Sequence, residues 1–482
     1  MSQDDLKLKT KKSLYWSFLN QFANYGIQFA IGIVMARLLS PADYGITALP
    51  AVFMAVAGIF VDGGGFGSAL VRKPEITEKD LATSFYYSIV VGLFCYLSLF
   101  FASPWIAAFY NAPILKDIMK VTAIGFLIGP LNTPQTIILK RRLDFKTPTK
   151  VNITCRILSG IVGLTLAFIG YGVWALVLSS LFSSIVSLIL NWWVVRWYPK
   201  TSWSKESFKY LWNYGNKMMG AQLLNTLYNN ITPVIIGKFF SPALLGVYNR
   251  AQGYAALPSN NISGAISSVT FPVISKIQDD PERLERAYRK MLRTAAFVIF
   301  PLMMVLSALA RPLIIVMITE KWEACILLLQ IICFNKMWWP IHAMNVNLLL
   351  VKGRTDLFLR LEIIKKILSL CILFSTLPFG IVTFCVGGVF ISIICLFINT
   401  YYTGKLIKVG FWVQMKDIIP TFTLSLCIWL LLQGTCLLID NYVVQIIVGG
   451  ILALTFYLGM SILLKRPELQ EIKYMLDRKR KY

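Results

Sequence analysis

Fourteen long apolar segments divide this 482-residue chain, and they restrict its fold more than any other feature. A helix rises about 1.5 Å per residue and the hydrocarbon core of a bilayer is about 30 Å thick, so a spanning helix needs about 20 mostly apolar residues. The connections are short and contain turn residues, such as IGYG at 169–172. We therefore predict an all-α polytopic membrane protein with spans at 14–36, 45–70, 81–104, 118–138, 150–169, 172–195, 210–236, 245–273, 292–310, 324–350, 360–377, 380–404, 418–438 and 441–464.

The composition agrees with a chain that lies mostly in the bilayer. It is 57% hydrophobic and 15% charged, whereas soluble domains average about 45–50% and about 25%. No connection is long enough to form a soluble catalytic domain, so we expect a transporter and not an enzyme. The nine cysteines lie almost entirely within apolar segments and lack the paired spacing of a metal site. We interpret them as packing residues and expect no metal and no cofactor.

The basic residues predict the orientation in the membrane. Of the 47 Lys and Arg, 37 fall on alternate connections that begin with residues 1–13, and seven fall on the opposite connections. Cytoplasmic loops carry the excess of basic residues, so both termini are predicted to be cytoplasmic. The net charge of +24 thus reflects topology and attraction to anionic lipid headgroups, and it does not require a nucleic-acid partner.

Two short motifs recur at similar offsets. ARLLSPADYG at 36–45 resembles GKFFSPALLG at 237–246, and ILKRRLDF at 138–145 resembles LVKGRTDL at 350–357, which pairs Lys140, Arg142 and Asp144 with residues 212 positions later. Short loops can reuse Pro and Gly by chance, but two matches at similar offsets argue against that reading. The halves are separated by an even number of crossings, so they are parallel repeats, an architecture typical of alternating-access transporters. We predict an N-lobe at 1–200, a C-lobe at 201–404, and spans 13 and 14 with a cytoplasmic tail at 405–482.

Polar residues within the first and seventh spans predict a hydrated cavity between the lobes. Amides in hydrocarbon are costly unless they pair or meet water, so these helix faces are expected to line the cavity; hydrogen bonding from helix to helix is the alternative. The predicted lining residues are Asn20, Asn24, Gln28, Gln222, Asn225 and Asn229, together with Trp338, whose ring could stack on a sugar.

Cations within spans suggest that the substrate is an anion. A cation in the membrane needs an anionic partner, and a phosphate or pyrophosphate is suited to that role. Snorkelling to the lipid headgroups is the alternative for the two residues nearest the cytoplasmic boundary, Arg156 and Lys217. The candidate cations are Arg156, Lys217, Lys336 and Lys365. The only histidine, His342, is interpreted as a satisfied interhelical residue, and the glycine run VDGGGFGSAL at 61–70 as a place of close helix packing or a hinge.

Four stretches together resemble one family of transporters. LLSPADYG, VDGGGFGSALVRKPEIT, LKRRLDFK and LLLVKGRTDLFLRLEIIKK are similar to the Wzx-type polysaccharide flippases, in particular the colanic-acid exporter branch of the multidrug/oligosaccharidyl-lipid/polysaccharide exporter superfamily. The resemblance implies a bacterial inner-membrane protein that moves undecaprenyl-pyrophosphate-linked oligosaccharide units to the periplasmic leaflet for O-antigen, capsule or exopolysaccharide synthesis. A polysaccharide polymerase and other assembly proteins are candidate partners.

Three other functions remain open at this point. A lipid II flippase or a drug/cation antiporter would share the superfamily, and a membrane glycosyltransferase or ligase would need a catalytic constellation that the connections do not offer. A cation substrate would favour acidic cavity residues, whereas this chain has more candidate cations within its spans. Coupling to a proton or Na⁺ gradient is a further expectation, with Asp62 as the candidate residue.

Overall fold

The structure is a computed structural model that describes residues 3–61 and 65–469. The described residues are almost entirely helical and contain no strand, which confirms the all-α class. They form two compact units, Met1–Gly246 and Val247–Tyr482. In order, the α-helices are α1 (Gln3–Leu38), α2 (Pro41–Val61), α3 (Phe66–Arg72), α4 (Glu78–Phe109), α5 (Leu115–Ala123), α6 (Gly125–Arg141), α7 (Lys146–Ile169), α8 (Val173–Val195), α9 (Lys205–Phe239), α10 (Pro242–Lys276), α11 (Pro281–Ala308), α12 (Ala310–Ile318), α13 (Ala324–Lys336), α14 (Trp339–Val351), α15 (Thr355–Thr376), α16 (Ile381–Ile407), α17 (Phe411–Leu438) and α18 (Tyr442–Leu463).

Each predicted span coincides with one long helix or with consecutive shorter helices. The fourth span consists of α5 and α6, and the tenth consists of α13 and α14. Within the described ranges, nine helices are long and apolar enough to cross a membrane by length and composition. The chain is therefore a multi-pass membrane protein, while the number of fourteen crossings stays a prediction.

Four long helices are not among the nine apolar ones in the described part of the chain: α1, α9, α10 and α15. Each has amide or charged side chains where a lipid-facing helix would carry apolar ones, for example Asn24 in α1, Asn225 in α9 and Lys365 in α15. Such side chains are costly against lipid, so these helices need protein or water on their polar sides. The amides predicted to line a cavity therefore fall on two of these four helices, α1 and α9, and the candidate cation Lys365 falls on a third, α15.

In the first unit, α4 and α9 hold the short helix α3 in place. Phe66 is fully buried and its ring stacks on Tyr87 at 4.1 Å between centroids. The guanidinium of Arg141, at the end of α6, donates to the carbonyls of Leu70 at 2.8 Å and Pro74 at 2.7 Å. These bonds satisfy carbonyls that the end of a helix leaves without a partner.

The first unit ends after α9, because α9 packs on α2, α3 and α4. Its boundary at Gly246 thus lies beyond residue 200, where the N-lobe is predicted to end. The two boundaries describe different things: the units are defined by contacts in one conformation, and the lobes by the sequence repeat. The predicted lobes at 1–200, 201–404 and 405–482 stay a prediction, and residues 470–482 of the tail lie outside the described residues.

In the second unit, α11 packs along α17 and the pair is fastened by an ion pair. Arg289 donates to both carboxylate oxygens of Asp417, at 2.8 and 3.0 Å, and Arg293 lies 3.9 Å from the same carboxylate. Asp417 is almost completely buried, whereas the arginine side chains are about one-third exposed. Bidentate arginine–carboxylate pairs are among the stronger polar contacts in proteins.

Replacing Asp417 with Asn should lower the free energy of unfolding by about 2 kcal/mol, because it leaves Arg289 without its buried partner. Denaturant unfolding in mild detergent measures the change. Asp440→Asn is the matched control, since Asp440 is exposed just after α17 and should leave stability within about 0.5 kcal/mol. Equal losses in both variants would contradict a fastening role for Asp417.

The repeated Ser-Pro corner has the same position between helices in both copies. The first helix of each pair ends at Leu38 or Phe239, and the second begins at Pro41 or Pro242. The offset is 201 residues at both helix boundaries, as in the sequence match. Proline is suited to the first helical position because its missing N–H would have no helical partner there. The predicted corners are confirmed.

The helix caps at the two corners differ in one residue. At the first corner, Ser40 and Asp43 form a reciprocal capping box: the Ser40 N–H donates to the Asp43 carboxylate at 2.9 Å, and the Asp43 N–H donates to the Ser40 hydroxyl at 3.3 Å. At the second corner, the Ser241 hydroxyl accepts from the N–H of Leu244 at 3.2 Å. Leu244 has no carboxylate that could accept a hydrogen bond from the backbone N–H of Ser241. The second corner therefore has only one of the two hydrogen bonds of a capping box.

The second repeated motif has a turn geometry that repeats at a different offset from its sequence. Leu143 and Gly353 both have a left-handed backbone, with φ of 55° and 69°. The next residue in each turn, Asp144 or Arg354, donates its N–H to the carbonyl five residues earlier, at 3.1 and 2.9 Å. The turns therefore superpose at an offset of 210, and not at the 212 of the sequence match. The acidic residues paired by sequence lie two positions apart in the turn.

The two acidic residues consequently make different contacts. Asp144 accepts from the hydroxyl of Thr147 at 2.6 Å, at the start of α7. Asp356 forms a bidentate pair with Arg354, at 2.9 and 3.0 Å. The hydrogen bonds from Arg354 lower the pKa of Asp356 to about 2. Asp356 is thus ionised at any physiological pH, and the pair is lost only when the pH falls toward that value.

Candidate substrate site

The position of Lys217 is fixed by a close contact on the opposite side of α9. A Cβ on Gly65 would overlap the backbone carbonyl of Gly215, and a Cβ on Gly215 would come within 2.8 Å of the Phe66 ring. Leu211 lies on the same buried side of α9. The contact confirms close packing at the glycine run, and it leaves Lys217 exposed.

Lys217 belongs to a polar strip that the sequence analysis missed. Four of its members recur every four residues, at positions 205, 209, 213 and 217, and the fifth is at position 216, which places all five on one side of a helix. All of them are exposed. The spacing i, i+4, i+8, i+12 is present in the sequence, but only Lys217 was predicted as a site residue, because it lies deepest in the apolar segment. The α9 strip consists of Lys205, Lys209, Asn213, Asn216 and Lys217.

Arg156 lies on a different helix of the same unit. It is exposed near the middle of α7, one turn after the exposed Asn152. α7 packs on α1 and α8, whereas α9 packs on α2, α3 and α4. Within the part of the chain that the structure describes, neither Arg156 nor Lys217 has a carboxylate partner. Both cations can therefore bind an anionic ligand without displacing a carboxylate of the described residues.

The predicted amides of α1 bond to each other. The Asn24 amide donates to the side-chain oxygen of Asn20 at 2.5 Å and to its backbone carbonyl at 2.8 Å. Both residues are half-buried, while Gln28 is exposed. The bond lies within one helix and does not join α1 to another helix. That these amides line a cavity stays a prediction.

The predicted amides of α9 differ in exposure. Gln222 is half-buried, and Asn225 and Asn229 are exposed. Asn225 and Asn229 thus lie at the surface of the described conformation and not in an enclosed site. Whether these amides contact a substrate stays a prediction.

Trp338 lies in an aromatic cluster of the second unit. Its ring centroid is 5.1 Å from that of Phe300 on α11 and 6.3 Å from that of Phe422 on α17. Lys336 is half-buried and its ammonium lies 5.0 Å from the centroid of the Trp339 ring. A cation over an aromatic face is stabilised without a carboxylate. Trp338 therefore packs against two rings, and Lys336 has a partner within its own segment.

Lys365 already has an anionic partner. Its ammonium is 2.5 Å from the carboxylate of Glu362, one helical turn earlier on α15, and its side chain is 14% exposed. A pyrophosphate would have to compete with Glu362 or join it. Asp62, the candidate for ion coupling, lies outside the described residues.

A cavity of about 410 Å³ lies in the first unit but is unsuited to an anion. It is lined by apolar side chains of α2, α4 and α9, among them Phe53, Ile106 and Val234. No cation lines it. The predicted anionic-headgroup residues are thus elsewhere, with Arg156 and Lys217 in the first unit and Lys336 and Lys365 in the second.

The repeated corners contact each other through their glycines. A Cβ on Gly45 would overlap the carbonyl of Pro242, and a Cβ on Gly246 would overlap the carbonyl of Pro41. The contact is reciprocal, because each glycine lies against the proline that begins the other helix. Only glycine allows two helix starts to approach this closely. The sequence repeat is thus also a structural pair.

The sequence pattern of a family described as "Polysaccharide biosynthesis protein" matches residues 34–327, more than half of the chain. The chain belongs to this family. The matched region includes both Ser-Pro corners, Arg156 and the whole α9 strip.

Two relatives of the family illustrate the extent of the similarity. The teichuronic acid biosynthesis protein TuaB of Bacillus subtilis (strain 168) is 26% identical over 385 residues, 79% of this chain and 80% of the relative. The lipopolysaccharide biosynthesis protein WzxC of Escherichia coli (strain K12) is 22% identical over 444 residues, 89% of each chain. The predicted resemblance to Wzx-type proteins is confirmed.

The fold of this family member matches that of a solved flippase. The structure of lipid II flippase MurJ in an inward closed conformation has a TM-score of 0.73, covering 94% of this chain and 100% of the other, at 16% identity. At this identity the match shows the fold alone. It agrees with the predicted polytopic exporter architecture.

Proposed function

We propose that the protein is a flippase that moves undecaprenyl-pyrophosphate-linked oligosaccharide units from the cytoplasmic to the periplasmic leaflet, for the synthesis of a surface polysaccharide. Family membership supports a role in polysaccharide biosynthesis, and the fold supports transport. The observation that carries the proposal is a pair of exposed cations with no carboxylate partner among the described residues: Arg156 on α7, which is apolar enough to cross a membrane, and Lys217 on α9, in the predicted seventh span. A cation in that position favours an anionic substrate over a cationic drug.

The mechanism follows from the chemistry of the two ends of such a substrate. Arg156, Lys217 and the lysines of the α9 strip would bind the pyrophosphate on the cytoplasmic side. The exposed amides of α9 would bind sugar hydroxyls, while the polyprenyl tail stays in the lipid. Rocking of the lobes would then separate the repeated corners and open the other side. No step makes or breaks a covalent bond, so the protein is proposed to act as a transporter and not as an enzyme.

The location and the partners are part of the same proposal. The resemblance to Wzx-type proteins supports a bacterial inner-membrane protein, and the basic residues favour an orientation with both termini in the cytoplasm. A polysaccharide polymerase on the outer side would receive the translocated units. A proton or Na⁺ gradient would supply the driving force.

Native mass spectrometry of the protein from its own host, in mild detergent, tests the substrate class. We expect a polyprenyl-pyrophosphate glycan bound to the wild type, with at least a tenfold lower occupancy in Arg156→Ala, because a charged contact contributes about 1.5–3 kcal/mol. Arg311→Ala is the control, since Arg311 is surface-exposed and paired with Glu323 at 3.1 Å. Ordinary phospholipids bound equally to all three proteins would contradict the proposal.

A lipid II flippase is the second candidate, because the solved MurJ structure has the same fold. The same experiment separates the two candidates by the mass of the bound glycan. A disaccharide carrying a peptide would identify lipid II, whereas a sugar repeat without peptide would support the polysaccharide pathway.

A further inference from the structure

The only histidine of the chain forms hydrogen bonds at both ring nitrogens. His342 lies four residues into α14, and its Nε2 is 3.0 Å from the hydroxyl of Ser392 while its Nδ1 is 3.2 Å from the amide nitrogen of Asn399. An amide nitrogen can only donate, so Nδ1 is the acceptor. The ring is therefore neutral, with its proton on Nε2 and donated to Ser392.

One buried atom beside this ring has no hydrogen-bond partner. Asn399 is 1% exposed, and its side-chain oxygen makes no hydrogen bond in the described structure. An unpaired buried carbonyl costs about 1–3 kcal/mol. Turning the amide by half a rotation would place this oxygen at Nδ1, where it could accept a bond only if Nδ1 carried a proton. The amide thus has one orientation for a bare Nδ1 and another for a protonated Nδ1.

A neighbouring polar network shows what a purely structural cluster looks like in this unit. The Asn345 amide donates to Gln414 at 3.1 Å, Gln414 donates back at 2.9 Å, and Thr403 donates to the Asn345 oxygen at 2.7 Å. These three residues are buried, and none of their side-chain polar atoms is without a partner. This network joins α14, α16 and α17 in one arrangement, whereas the histidine pair retains an unused acceptor.

Ionisable groups reach this pair from the surrounding helices. From α15, Lys365 acts electrostatically on His342 and is itself paired with Glu362 at 2.5 Å. α16 contributes Cys395, which lies near Lys365 and Glu362. α11 contributes the buried Tyr288, whose hydroxyl lies at Thr403, one turn along α16 from Asn399. On the chain before α14, the ammonium of Lys336 lies over the Trp339 ring.

We propose that His342 and Asn399 form a proton-binding site, in which Nδ1 takes a proton from water and the Asn399 amide turns to accept its hydrogen bond. The Glu362–Lys365 pair sets the local charge. The link to transport rests on the proposed function. An anionic headgroup that binds Lys365 would take this lysine away from Glu362. The carboxylate of Glu362 would then be unpaired, and its negative charge would favour the protonated ring. Anion binding and proton binding would then strengthen each other, as linkage requires.

Nitrogen NMR can observe this site alone, because His342 is the only histidine. The full chain, labelled with ¹⁵N-histidine and purified in lipid nanodiscs without a histidine tag, should show one N–H at Nε2 and a bare Nδ1 at neutral pH. Lowering the pH should convert both nitrogens to N–H in a single reversible transition. A proton on Nδ1 at neutral pH, or no transition before the protein unfolds, would overturn the proposal.

Two variants on α15 should move the transition in opposite directions. Lys365→Met leaves the Glu362 charge unopposed, so the ring should become protonated about one pH unit higher than in the wild type. Glu362→Gln leaves the Lys365 charge unopposed, so protonation should require a lower pH by a similar amount. Cys395→Ser is the control and should leave the transition unchanged. Shifts in the same direction in both α15 variants would contradict the assignment of the charge pair.

The amide switch has its own test. Asn399→Leu removes both the donor to the neutral Nδ1 and the acceptor for a protonated Nδ1. Because hydrogen bonds to charged groups are the stronger of the two, the net effect should be that the ring requires a lower pH to take up the proton. An unchanged transition in this variant would overturn the role of Asn399.

Inorganic pyrophosphate serves as the anion probe. It should move the wild-type transition to higher pH and leave Lys365→Met unaffected. An equal response in both proteins would contradict the coupling.

These measurements need no lipid-linked substrate. A clear transition with no glycan bound in mass spectrometry would therefore refute the proposed function and leave the proton site intact.

Discussion

An alanine at Gly45 or at Gly246 should destabilise the protein by about 3 kcal/mol and reduce transport. The added Cβ would overlap a backbone carbonyl of the facing corner, Pro242 in one variant and Pro41 in the other. Backbone cannot move aside as a flexible side chain can, so the two helix starts must separate. Overpacking of this kind typically costs 1–3 kcal/mol or more. Denaturant unfolding in mild detergent measures the loss, and export of polysaccharide in the host measures transport.

The double variant gives a sharper test of the reciprocal contact. Both methyl groups act on the same approach of two helix starts, so the corners need to separate only once. Gly45→Ala combined with Gly246→Ala should therefore cost clearly less than the sum of the single variants. Strict additivity would mean that the two glycines act independently, and it would contradict the paired contact.

Gly253→Ala is the matched control for the corner variants. Gly253 lies on α10, two turns beyond Gly246, and a Cβ there would meet nothing within 4 Å. Since alanine favours helix more than glycine does, the control should be unchanged or more stable by up to about 1 kcal/mol. Stability and transport equal to wild type in both corner variants would show that the contact has no role.

The helices and corners were predictable because local sequence determines them. Long apolar runs form helices in a bilayer wherever they occur, since every backbone group must bond within the segment. Proline at residues 41 and 242 places the corners to the residue. The break between α13 and α14 also has a local signal, because Pro340 suits the first turn of a helix and not its interior. The break before Gly125 has a weaker signal. Both the fourth and the tenth span were predicted as continuous, so neither break was predicted.

Contacts between residues three or four positions apart could also have been predicted from the sequence, because their spacing specifies them. Glu362 and Lys365 are three residues apart on α15, Lys336 and Trp339 are three apart across the break between α13 and α14, and Asn20 and Asn24 are four apart on α1. Residues at these spacings meet on a helix surface. The first two of these pairs give Lys365 and Lys336 partners within their own segments, and the third pair joins two amides predicted to line a cavity.

Contacts between distant segments could not be predicted from one sequence. The stacking of Trp338 on Phe300 and Phe422, and the approach of Gly45 to Pro242, join residues that are far apart in the chain. Nothing in the local pattern specifies which helices pack together. The repeat predicted that two corners exist, but their mutual contact required the fold.

Arg156 and Lys217 differ from the other two candidate cations in a way that matters for the mechanism. Lys365 is bound to Glu362, and Lys336 lies over an aromatic ring. A headgroup would have to displace or join these contacts. Arg156 and Lys217 are exposed and lack a carboxylate partner in the described residues, so they are available for first contact with an anion.

Replacing either Arg156 or Lys217 with alanine should reduce polysaccharide export about 10-fold to 100-fold at an unchanged protein level. Each contact between a cation and a pyrophosphate contributes about 1.5–3 kcal/mol, and 1.36 kcal/mol corresponds to a factor of ten. Export is measured in the host after its own copy of the gene is removed, with membrane protein levels quantified in parallel. The charge-retaining variants Arg156→Lys and Lys217→Arg should recover part of the activity, because they keep the cation but change its hydrogen-bond geometry. Normal export in both alanine variants would reject the cationic site. Equal loss of export in Arg156→Ala and Arg156→Lys would show that the headgroup is recognised through the bidentate geometry of arginine and not through its charge alone.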